Sequence, residues 1–211
     1  MRLLFTDAAF VVVDKPAGQI VHPAPGHETG ALTDELVRRF PEMSRVGSSE
    51  RPGVVHRLDI DTSGVMVFAR TQAAYLSLRR QFESHRTVEK TYLAVCHWRR
   101  GLAPQGTLSS PIDRQRAVSR YALLGRQGSL ALVRFDIETG RTHQIRIHAA
   151  KELGGPIVGD PLYGDAARDR QLRRRPTRTL LHAVELAFRH PTTGARVQFA
   201  APPPSDLVFA G

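Results

Sequence analysis

The stretch H-R-L-D-I-D-T-S-G, His56 to Gly64, sets Arg57 and Asp59 two residues apart and closes on a Thr-Ser-Gly turn. In a strand, residues two apart share a face, so Arg57 and Asp59 can point into one cavity. A guanidinium beside a carboxylate favours its charged form. An ionised, oriented Asp can serve as nucleophile or base. The plain alternative is a salt-bridged turn at the surface. Asp61, two residues on, reads as a turn acceptor rather than a second acid.

Elements must hold these groups in place. Val54 to Leu58 and Val65 to Ala69 read as strands on either side of the Asp59 turn. Phe10 to Val13 is a β-branched run stopped by Lys15-Pro16-Ala17-Gly18. Leu32, Leu36, Val37 and Phe40 have helical spacing, and Pro41 ends that helix. Thr71 caps a second helix carrying Leu76, Leu78 and Phe82. Val88 to His97, Val118 to Leu124, Leu130 to Ile137, Thr179 to Phe188 and Arg196 to Ala200 read as strands. Between them, Ile145, Ala149 and Leu153 keep an i, i+4 rhythm that predicts a helix, closed by Gly154-Gly155-Pro156. Strands outnumber helices and often follow one another, so an α+β fold with a mainly antiparallel sheet flanked by helices is expected.

The 211 residues are 41% hydrophobic, enough for a substantial core, and carry a formal net charge of +10. Of the 30 basic residues only Lys15, Lys90 and Lys151 are lysines. Arginine gives forked contacts to phosphate and stacks on bases, so this balance suits a polyanion such as nucleic acid better than a small neutral substrate. Six arginines crowd into 165–178: Arg168, Arg170, Arg173, Arg174, Arg175 and Arg178. They form either a solvated loop or a phosphate clamp. The one cysteine, Cys96, excludes an intrachain disulfide and reads as a small buried residue. It fits a reducing, cytoplasmic setting. The N-terminal stretch does not read as a signal peptide, and no segment approaches the ~20 apolar residues of a membrane span.

Six motifs then fall in a fixed order: DKPAGQIVHP at 14–23, RPGVVHRLDIDTSG at 51–64, KTYLAV at 90–95, GRTHQIRIHAA at 140–150, GDPLYG at 159–164 and LLHAVELAFRHPTTG at 180–194. Together they closely resemble the RluA-type family of pseudouridine synthases, over nearly the whole chain. The resemblance implies isomerisation of uridine to pseudouridine in structured RNA, ribosomal or transfer. It also implies a pseudouridine synthase fold with a long, bent, mainly antiparallel sheet.

The family's residues carry over one by one. Its nucleophilic aspartate matches Asp59, and the arginine that helps to displace the target base matches Arg57. The tyrosine lying against the uracil matches Tyr92. The arginine that pairs with the catalytic aspartate matches Arg146, with Arg141 as the second choice. His56, Arg57 and Arg141 are candidates to hold the nucleotide, and Arg173, Arg174 and Arg175 to hold phosphates. Many family members carry a small basic RNA-binding domain ahead of the catalytic one. Here the pattern begins by about residue 10, so a single catalytic domain over 1–211 is expected, acting as a monomer.

The reaction breaks a C–N glycosidic bond, turns the uracil and forms a C–C bond. Nothing is oxidised and nothing is lost, so no cofactor is expected. His143 and His148 lie five apart, on different faces of a helix, which argues against a metal site. Asp59 can attack the sugar, add to the base or remove a sugar proton, and these routes stay open. Two other classes compete: a non-catalytic RNA-binding protein, and a hydrolase using Asp59 with His56 or His143.

Overall fold

Three consecutive valines, Val11 to Val13, are fully buried on both faces of their strand, as the apolar run requires. They belong to β2 (Phe10–Lys15), which pairs antiparallel with β1 (Arg2–Thr6) on one side and β5 (Ser63–Ala69) on the other. The computed structural model describes residues 1–26, 29–84, 86–99 and 101–207. It is an α+β fold, 35% strand and 22% helix.

The chain divides into two compact units. The first comprises Met1–Glu89 and Glu185–Ala201. Besides β1, β2 and β5 it holds α1 (Leu32–Arg39), the short hairpin of β3 (Gly47–Ser48) and β4 (Arg51–Pro52), and α2 (Gln72–Ser84). Thr71 caps α2 through its hydroxyl, which accepts from the Ala74 amide at 3.2 Å. Phe5, Phe10, Phe188 and Phe199 form an aromatic cluster at ring separations of 5.2–6.0 Å.

The second unit comprises Lys90–Val184 and Pro202–Gly211. Strand β6 (Glu89–His97) leads into it; β7 (Gln105–Leu108), β8 (Ser119–Gln127) and β9 (Leu130–Ile137) follow. They pair antiparallel in the order β6-β9-β8-β7. Helix α3 (Gln144–Ile147) continues as a π-helical stretch over His148–Leu153 and stops at left-handed Gly154. Ile145, Ala149 and Leu153 join Ala94, Cys96, Val133 and Phe135 in one core, so the expected i, i+4 stripe is the buried face. Helix α4 (Ala166–Gln171) lies in the arginine-rich segment. Strand β10 (Leu181–Arg189) begins in the second unit and ends in the first, where it pairs antiparallel with β11 (Arg196–Ala200).

Residues 54–58 depart from expectation. They form no strand; Val54 makes a single bridge to Phe68 and the chain then runs as a loop to the Asp59 turn. Gly53 explains the change of course. Its φ is +70°, and a Cβ there would lie 2.4 Å from the Ala69 carbonyl. That close approach, with the Ala69 amide donating to the Gly53 carbonyl at 2.9 Å, pins the loop to the end of β5.

Candidate active site

Asp59 lies in the first unit, half-buried at the tip of this loop, with Leu58 buried and Arg57 exposed beside it. Its main-chain carbonyl accepts from the Thr62 amide at 3.1 Å, which closes the turn. The His56 ring stacks on Phe82 at 4.4 Å, and its Nε2 accepts from the Val67 amide at 3.1 Å. That fixes the residue three before Asp59 to β5.

Sequence reasoning missed Lys15. Its side chain is fully buried, and its Nζ donates to the carbonyls of Pro16, Gln19 and Ile60 at 3.0, 2.7 and 2.9 Å. The Gly18 amide also donates to Ile60 at 2.9 Å. The Lys-Pro-Ala-Gly segment and the residue after Asp59 are thereby tied together. The available signal was a lysine closing a run of buried valines, where a charge survives only with its donors met. Replacing Lys15 with Met is expected to cost about 2 kcal/mol of stability, because the Pro16 and Gln19 carbonyls lose the Lys15 donor and Ile60 keeps only the Gly18 amide. Urea denaturation checks it; an unchanged midpoint would contradict the role.

Tyr92, Arg141 and Arg146 lie in the second unit. Tyr92 is half-buried on β6, opposite Phe135 of β9. Arg146 is buried on α3. Its Nε and Nη2 both reach the Asp160 carboxylate at 2.7 Å, a bidentate pair. Asp160 also accepts from the Leu162 and Tyr163 amides at 2.9 and 3.1 Å. Burial pushes the Asp160 carboxyl up, but Arg146 and the two amides outweigh it and hold it below its ordinary value.

Tyr163 completes the setting. The Arg146 guanidinium lies 5.4 Å from its ring centroid, and its hydroxyl is 3.2 Å from His143 Nδ1. His143 takes a left-handed φ of +56° at the start of α3, a conformation that surrounding contacts must hold. Gly159 sits at φ +75°, where a Cβ would lie 2.0 Å from the Arg178 carbonyl. The Gly-Asp-Pro-Leu-Tyr turn is thus the mount of Arg146.

Arg141 is directed elsewhere within its unit, donating to the Gln115 side chain at 2.6 Å and the Arg116 carbonyl at 3.3 Å. His148 bonds Ser119 Oγ and the Ser110 carbonyl, each at 3.0 Å. Lys90 is buried two residues before Tyr92, and its Nζ donates to the Thr139 carbonyl at 3.2 Å. Burial, with the nearby Arg141 charge, lowers its pKa to about 8. Cys96 is wholly buried, which pushes its thiol well above the ordinary range.

The arginine-rich segment is partly committed. Arg178 pairs bidentately with Asp206 at 2.7 Å and donates to the Thr179 and Leu181 carbonyls, so it drops out of the phosphate-contact set. Arg168 lies 3.4 Å from Asp165. Arg170, Arg173, Arg174 and Arg175 are exposed. Buried His97 holds Asp169 of α4 at 2.8 Å, which anchors the segment to β6.

The profile of RNA pseudouridylate synthase matches residues 9–151, a span that includes Asp59, Tyr92 and Arg146. A ribosomal large subunit pseudouridine synthase D of Xanthomonas campestris pv. campestris is 42% identical over 98% of the chain and 67% of its own length. An uncharacterized RNA pseudouridine synthase of Bacillus subtilis is 39% identical over 98% and 70%. One of Chloroflexus aurantiacus is 43% identical over 92% and 63%. The chain therefore spans about two thirds of the length of these relatives. Among solved structures, human RNA pseudouridylate synthase domain containing 4 aligns with a TM-score of 0.75 and 26% identity, covering 98% of this chain and 90% of the other.

Proposed function

The chain belongs to the RNA pseudouridylate synthase family, and on that premise we propose that it isomerises uridine to pseudouridine in structured RNA without a cofactor. Asp59 supplies the carboxylate, Tyr92 lies against the uracil, and Arg146 is the guanidinium assigned to Asp59. A uridine in a stem must be flipped out, at roughly a few kcal/mol. Arg57, exposed beside Asp59, fills the vacated place, because guanidinium both stacks and hydrogen-bonds. The observation that carries this reading is the family match over 9–151, a span that contains Asp59, Tyr92 and Arg146.

The substrate we favour is large-subunit ribosomal RNA, on the name of the Xanthomonas relative, with the protein acting as a cytoplasmic monomer. No helix among the described residues is long and apolar enough to cross a membrane. Mapping pseudouridines in total RNA from a strain lacking the gene tests the assignment. Loss of one or more sites in large-subunit RNA is expected; loss confined to transfer RNA would move the substrate, and no loss would contradict it.

Grip on RNA is assigned to the exposed arginines of the 165–178 segment. Replacing Arg173, Arg174 and Arg175 with Ala together should flatten the dependence of log affinity on log salt by on the order of 0.7–0.9 per lost phosphate contact. An unchanged slope would make the segment a solvated loop and place the RNA on another face.

A further inference from the structure

Two of the three lysines in this arginine-rich chain are buried, and they are buried differently. Lys15 donates to three carbonyls. Lys90, 9% exposed, makes one hydrogen bond among the described residues, to the Thr139 carbonyl at 3.2 Å. An ammonium has three donors. No carboxylate of the described residues lies within ion-pair distance of it, and the nearest charged influence is the like charge of Arg141. A buried ammonium near a like charge, without an anion, is costly to the fold.

Residue 140 is glycine, and its Cβ position is 3.5 Å from Lys90 Nζ, so any side chain there would sit against the charge. Arg141 is held by Gln115 and the Arg116 carbonyl, contacts to its Nε and Nη1 that fix the guanidinium. Along β6, Lys90 and Tyr92 share a face about 7 Å apart.

We propose that Lys90 and Arg141 form a preformed anion cradle that takes a phosphate oxygen of the RNA beside the target nucleotide. The proposal rests on the reading of Tyr92 as the residue against the uracil, because that places the cradle one nucleotide's reach away. A phosphate there supplies the acceptors that Lys90 lacks and neutralises the two like charges. The fold bears an uncompensated charge in the free protein, and the substrate relieves it.

The test uses the full chain and an in vitro transcript of large-subunit ribosomal RNA. In Lys90→Met, affinity should fall on the order of tenfold, the loss of a charged hydrogen bond. The slope of log affinity against log salt should fall by roughly 0.7–0.9. Lys90→Arg should keep most of the slope. The melting temperature of Lys90→Met without RNA should equal or exceed that of the parent, since a buried charge is removed. A lower melting temperature with unchanged affinity would make Lys90 a structural residue and overturn the proposal. A loss of kcat with unchanged affinity and slope would move the contact to the detached uracil, which also overturns it. Failure of the parent protein to make pseudouridine in this transcript, while it binds with the Lys90-dependent slope, would count against the proposed function and leave the cradle standing.

Discussion

Asp59→Asn is expected to leave no measurable pseudouridine while the fold and the affinity for RNA persist. The amide keeps the shape of the side chain and loses both nucleophile and base. A loss of on the order of 10⁴-fold or more is expected for a group at the reacting centre. The fold should survive because the amide keeps the size and shape of the side chain and the Asp59 main-chain carbonyl still accepts from the Thr62 amide. Lys15 and Gly18 hold the following residue through the Ile60 carbonyl. Single-turnover assays with separate RNA-binding measurements check the result; near-normal turnover would remove Asp59 from the mechanism.

The second large effect concerns Arg146 and its mount. Arg146→Ala should reduce single-turnover rate far more than Arg141→Ala, whose effect should fall mainly on RNA affinity. The reverse order would exchange their roles. Asp160→Asn should reduce turnover as well, because it breaks the bidentate hold on a buried guanidinium. Removing one partner of such a pair costs about 3–5 kcal/mol. The pair also gives a signed pH dependence. Asp160 is held below its ordinary carboxylate value in the fold. Its stabilisation is therefore fully present above about pH 4 and is lost as pH falls through the lowered folded value. In Asp160→Asn that acid limb should shrink; an acid denaturation profile identical to the parent's would contradict the role.

Much of this was legible in the sequence, for physical reasons that differ by element. The Val11–Val13 run and Leu130–Ile137 read as strands because buried apolar runs and alternation leave few other options. The 144–153 helix was legible from its apolar stripe, but not its π-helical second half. There His148 bonds Ser119 and Ser110, and no local pattern encodes those partners. Residues 54–58 looked like a strand because Val54 and Val55 favour one; Gly53 and its close approach to Ala69 decided otherwise.

The site divides in the same way. Asp59, Tyr92 and Arg146 stood out through the motifs that contain them. Asp160 and Lys15 did not, since each acts through partners distant in sequence: Asp160 on Arg146, 14 residues away, and Lys15 on Ile60, 45 residues away. Arg178 shows the converse. Its neighbours suggested a phosphate contact, and Asp206 claims it instead.

Product analysis tests the central claim most directly. The purified protein is incubated with structured RNA transcript, the RNA is digested to nucleosides, and nucleosides and free bases are separated and weighed by mass spectrometry. The account predicts pseudouridine of the same mass as the uridine consumed, formed by the parent protein and absent with Asp59→Asn, with no free uracil released. Free uracil accompanied by an abasic site would contradict it and make the protein a glycosidic hydrolase.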